Sequence, residues 1–78
     1  MDSPFYFEGT TYWSEGDERV HFEWLSRISC VNEVRGVGER IYIDVDLGNV
    51  SADDFRELQA VYRRYDGDAD QLNGVKPQ

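Results

Sequence analysis

The chain opens on Phe5-Tyr6-Phe7-Glu8-Gly9-Thr10-Thr11-Tyr12-Trp13, a run of aromatic and β-branched residues with the composition of a strand. Alternation puts Phe5, Phe7 and Trp13 on one face and Tyr6, Glu8 and Tyr12 on the other, with Gly9 at a bulge. Ser14 to Glu18 reads as a turn.

From Val20 to Val34 the even positions Val20, Phe22, Trp24, Ile28, Cys30 and Val34 are apolar, and the odd ones, His21, Glu23, Arg27, Ser29 and Glu33, are polar apart from Leu25 and Val31. Period two predicts a half-buried strand that is bent near Ser26, because it exceeds the usual length of about 3–10 residues. A helix competes for the segment, since Trp24, Ile28 and Val31 also stand at helical spacing.

Gly36-Val37-Gly38 supplies a turn, and Arg40 to Leu47 alternates cleanly. Ile41, Ile43, Val45 and Leu47 are expected inward, and Arg40, Tyr42, Asp44 and Asp46 outward. Ser51 then stands as a helix N-cap with Asp54 three residues on, an acidic form of the capping box. The stripe Phe55, Leu58, Val61, Tyr62 and Tyr65 follows, with acids in the first turns, Arg63 and Arg64 near the end, and Gly67 as the stop. The pattern predicts an α+β domain over residues 1–67: a three-stranded antiparallel meander with one C-terminal helix on one face, β-β-β-α. Residues 68–78 read as a loosely held polar tail that touches down at Leu72.

At 78 residues only one core fits, and the 14% aromatic content supplies it without staples. Cys30 is the only cysteine, which excludes an intramolecular disulfide and a paired-thiolate zinc site and favours a reducing, cytoplasmic compartment. The N-terminal sequence carries no signal-peptide pattern, and no apolar run approaches the roughly 20 residues of a membrane span. Sixteen acidic against eight basic residues leave a formal net charge of −8. That balance argues against direct binding to nucleic acid or to an anionic membrane.

Candidate chemistry is thin. His21 is the only histidine, and strand parity points it away from Cys30, so nucleophilic dyads and triads are disfavoured. Asp66-Gly67-Asp68-Ala69-Asp70 copies the start of a calcium loop, but Gln71 stands where the glycine belongs and Pro77 where the bidentate glutamate belongs. Gly36-Val37-Gly38 lacks the lysine and helix of a phosphate loop. Asp44 and Asp46, about 6.6 Å apart on a strand, have no pocket to tune them as a catalytic pair. No metal, cofactor or enzymatic activity is implied.

What remains is a solvent-facing sheet surface in which tyrosine alternates with carboxylate: Tyr6, Glu8, Tyr12, His21, Glu23, Tyr42, Asp44 and Asp46. Tyrosine offers large, stiff contact area with a polar end, and carboxylates steer toward cations. Tyr6, Glu8, Tyr12, Glu23, Tyr42, Asp44 and Asp46 are therefore the candidate partner-binding residues, for a basic, nucleic-acid-handling protein whose channel an acidic face can occupy. In profile (short, acidic, seven arginines to one lysine, no catalytic machinery) the chain resembles small phage-encoded inhibitors such as the anti-CRISPR proteins, which implies a non-enzymatic inhibitor acting in the host cytoplasm as a monomer or homodimer. An immunity or antitoxin protein capping a cognate toxin has the same charge signature. A structural subunit would self-associate through an edge strand instead.

Overall fold

A computed structural model describes residues 3–78. Its elements are β1 (Tyr6–Glu8), α1 (Glu15–Arg27), β2 (Val31–Val37), β3 (Arg40–Val45) and α2 (Ala52–Arg64), with 3-10 turns at Leu47–Asn49 and Ala69–Leu72. The class is α+β with a three-stranded antiparallel sheet, as the pattern predicts, but there are two helices and the order is β-α-β-β-α.

The added helix is α1, which occupies much of the segment read as a long strand. Ser14 is its N-cap and accepts a hydrogen bond from the Asp17 N–H, with Glu15, Asp17 and Glu18 in the first turn where the helix dipole favours negative charge. The buried positions around it are His21, Leu25 and Ile28, spaced four and three apart along one helical stripe. The even-numbered apolar set does not share a face: Val20 is exposed, and Phe22 and Trp24 are half-buried. At the position expected to bend a strand, the Ser26 hydroxyl donates to the Phe22 carbonyl one helical turn back.

Nor is the sheet a meander. Its order is β1-β3-β2, so α1 carries the chain between the two edge strands and β3, the cleanest alternation in the sequence, lies in the centre. β1 is shorter than expected: Tyr6 pairs with Tyr42, Phe7 with Ile41 and Glu8 with Arg40. Trp13 falls outside the strand and is 88% exposed, not inward. β2 and β3 form a hairpin closed by Val37 opposite Arg40, with Gly38 at φ 60°, the left-handed region that a two-residue hairpin loop uses. A bulge sits between Val31 and Glu33. Leu47, expected inward, starts the first 3-10 turn and is half exposed.

α2 has the predicted capping box, Ser51 and Asp54 each bonding the other's backbone N–H. Asp66 takes the left-handed cap position at φ 57°, and the Gly67 N–H closes back on the Tyr62 carbonyl at 2.7 Å. Gly67 is needed for room: a Cβ there would lie 2.8 Å from ring atoms of both Phe7 and Tyr62. Both helices cover one face of the sheet, where Phe5, Phe7, Ile41, Ile43 and Val45 meet Leu25, Leu58, Val61 and Tyr62. Beyond Asp68, Leu72 and Val75 join this core, and the Gln78 N–H donates to the Val50 carbonyl at 2.7 Å.

Candidate interaction face

Because the helices cover one side only, the other sheet surface is open. Strand parity brings Tyr6 and Glu8 from β1, Arg40, Tyr42 and Asp44 from β3, and Glu33, Arg35 and Val37 from β2 onto it. The Tyr6 and Tyr42 rings pack at 5.7 Å between centroids. The Arg40 guanidinium lies 4.8 Å over the Tyr6 ring, donates to Glu8 Oε1 and donates to the Tyr42 hydroxyl, both at 3.1 Å. These contacts with Tyr42 and Glu8 raise the Arg40 pKa above its ordinary value, so it stays charged.

Beside this cluster runs a groove of about 260 Å³ with walls from Pro4, Val37, Tyr42 and Leu47 and carboxylates from Glu33 and Asp44. Glu33 and Asp44 are direct cross-strand neighbours, an arrangement of like charges that costs the sheet stability. With Arg35 and Arg40 against Glu8, Glu33 and Asp44, the face carries near-balanced charge. The acid excess lies off this face: Glu15, Glu18 and Glu23 along α1, Asp53 and Glu57 on α2, and Asp66, Asp68 and Asp70 beyond it.

Of the residues expected to bind a partner, the structure brings Tyr6, Glu8, Tyr42 and Asp44 together on this surface. Glu23 is exposed on α1, away from the sheet surface. Asp46 caps the first 3-10 turn, accepting from the Gly48 N–H and from Asn49 Nδ2. Tyr12 leaves the sheet and turns toward the helices, where its hydroxyl meets His21 Nδ1 at 2.6 Å. Sequence reasoning left out Arg35, Arg40, Glu33 and Val37. The parity of Arg40 was readable, but the Arg40–Glu8 pair requires knowing that β1 lies beside β3.

His21, expected on the surface, is fully buried, stacked on Tyr65 at 3.9 Å and edge-on to Phe7 at 4.6 Å. Its Nε2 has no hydrogen-bond partner among the described residues, and burial lowers its pKa to about 4 despite the nearby Asp17. Burial in turn pushes the Tyr12 hydroxyl up to about 12, with Glu18 adding to the effect. Cys30 is buried as expected, and desolvation together with Asp54 raises its thiol pKa, the opposite of a reactive thiolate. The 66–70 acid run serves the chain's own turns: Asp66 caps α2 and the Asp68 side chain accepts from the Asp70 N–H. Among the described residues no three His, Cys, Asp or Glu side chains are grouped so as to hold a metal ion, and no helix is long and apolar enough to cross a membrane.

Comparison with known proteins places no relative beside this chain: no family model matches it, and neither a curated protein nor a solved structure does.

Proposed function

We propose that this protein is a small non-enzymatic inhibitor that binds a basic, nucleic-acid-handling protein through the open sheet face and blocks it, in the manner of phage anti-defence proteins. The observation that carries this reading is the Tyr6–Tyr42–Arg40 cluster, half-buried on the open face beside a groove lined by Glu33, Arg35 and Asp44, on a chain of net charge −8. Tyrosine and arginine are the side chains most enriched at binding hot spots, and here a shared contact network holds both in place before any partner arrives. The net charge of −8 supplies the long-range field that draws a basic partner in, while the face itself supplies contact. Glu33 opposite Asp44 leaves a place where a partner cation relieves a repulsion already present in the sheet.

Affinity capture from the source cells, run in parallel with the parent, Tyr42→Ala and Asp44→Lys proteins, tests it. A basic nucleic-acid-binding protein should be retained by the parent and lost from both variants. Equal retention by all three, or capture of no basic protein, would remove the face from consideration.

A further inference from the structure

The two edges of the sheet differ. At the β1 edge the Tyr6 N–H, turned away from β3, is taken up by Gln71 Oε1 at 2.9 Å. The β2 edge has no such cover. In an antiparallel ladder successive residues direct their N–H and C=O alternately toward one neighbour and the other. Ile43 N–H donates to the Phe5 carbonyl and Gly9 N–H to the Glu39 carbonyl, both at 3.0 Å, so Ile43 and Glu39 face β1 while Arg40 and Tyr42 face β2. Their partners Val37 and Arg35 are thereby turned toward β3, and Val34 and Gly36 turn their N–H and C=O outward. Among the described residues no hydrogen bond from elsewhere in the fold reaches these groups. An uncovered edge of this kind is a template for another strand.

The side chains along the edge specify which strand. Glu33 and Arg35 flank Val34, so the segment is its own antiparallel charge complement about that residue. When a second copy lies antiparallel with Val34 opposite Val34, each Glu33 faces the other copy's Arg35 and the two Val34 residues exchange N–H to C=O bonds. A two-residue slip puts Arg35 against Arg35 or Glu33 against Glu33, so charge selects the register. Within one chain neither charge is well matched: Glu33 has Asp44 opposite it, and Arg35 approaches Glu33 only to 3.8 Å with both side chains more than half exposed.

We propose that β2 is a self-association edge through which two copies of this chain join antiparallel about Val34 into one six-stranded sheet, each Glu33 paired with Arg35 of the second copy. Paired residues of an antiparallel ladder share a face, so both sets of helices lie on one side and both Tyr6–Tyr42–Arg40 clusters on the other. The pairing engages Glu33 but leaves those clusters open, and it is read on the purified protein alone, so its failure is distinguishable from failure of the proposed partner contact.

Sedimentation of the purified protein from micromolar to near-millimolar concentration should show the mass rising from 9.1 kDa toward twice that value. Arg35→Glu sets carboxylate against carboxylate at both symmetry-related pairs and should raise the dimer dissociation constant about tenfold or more. The charge exchange Glu33→Arg with Arg35→Glu restores complementarity and should restore the dimer, with circular dichroism confirming that both variants are folded. A parent that stays monomeric throughout overturns the proposal. So does a dimer that ignores the single reversal or that the exchange fails to rescue.

Discussion

Tyr12 and His21 meet hydroxyl to Nδ1 at 2.6 Å inside a ring of aromatics, and among the described residues nothing answers the other imidazole nitrogen. The neutral imidazole is the form this site accepts: a second proton would sit desolvated against Phe7 and Tyr65. The folded pKa of about 4 lies below the ordinary 6.5, so the unfolded chain binds the proton more tightly. His21 therefore contributes stability that is fully present above pH 6.5 and is lost as pH falls toward 4, by about 3 kcal/mol in all. Thermal melts across that window should fall more steeply for the parent than for His21→Gln. Parallel curves would mean that the imidazole is not the titrating group.

Asp54 joins two parts of the molecule. Its carboxylate accepts from the Ser29 hydroxyl at 2.8 Å and from the Ser51 N–H at 3.3 Å, tying the α1–β2 connection to the start of α2. Burial alone would raise its pKa, but the Ser29 and Ser51 hydrogen bonds outweigh that and lower it. Asp54→Ala should cost about 1–3 kcal/mol in urea denaturation, more than Ser51→Ala at about 1 kcal/mol, because only the first leaves Ser29 without a partner. Equal losses would show that the tie to Ser29 contributes nothing.

Leu58→Ala, at a fully buried position in the α2 stripe, should destabilise by about 2–5 kcal/mol. Gly67→Ala should also destabilise, by about 1–3 kcal/mol, because the methyl would press on the Phe7 and Tyr62 rings. An unchanged melting temperature for Gly67→Ala would require those rings to move apart freely.

The open face makes a kinetic prediction for whichever partner capture identifies. Tyr42→Ala removes contact area and should mainly speed dissociation, whereas Asp44→Lys alters charge and should mainly slow association, more so at low salt. Stopped-flow binding at two ionic strengths separates the two, and identical rate changes would count against a division between field and contact.

β3 and α2 are legible in the sequence because each is signalled twice, by period and by its ends: alternation after a glycine turn for one, a capping box and a dipole-matched charge order for the other. α1 is not, because its buried stripe begins with His21, which reads as polar, while Val20, Phe22 and Trp24 imitate a strand. Ser14 with Asp17 three residues later was the available sign of a helix start. The sheet order was not readable at all, since no local pattern says that β1 passes over β2 to pair with β3. That gap limited the site as well: Tyr6, Glu8, Tyr42 and Asp44 follow from parity, but Tyr12 and Glu23 were placed on a face that the crossover removes them from.

The crossover also orders events in time. The β2–β3 hairpin closes over two residues, whereas Tyr6 reaches Tyr42 only after the whole of α1 and the hairpin have been spanned. Loop-closure entropy makes the hairpin an early event and the docking of β1 a late one. Its three residues then lock Phe7 between His21 and Tyr62. Pulse-labelled hydrogen exchange during refolding should find the Arg35 and Tyr42 amides protected before those of Phe7 and Gly9, so the strand nearest the N-terminus is the last part of the sheet to form.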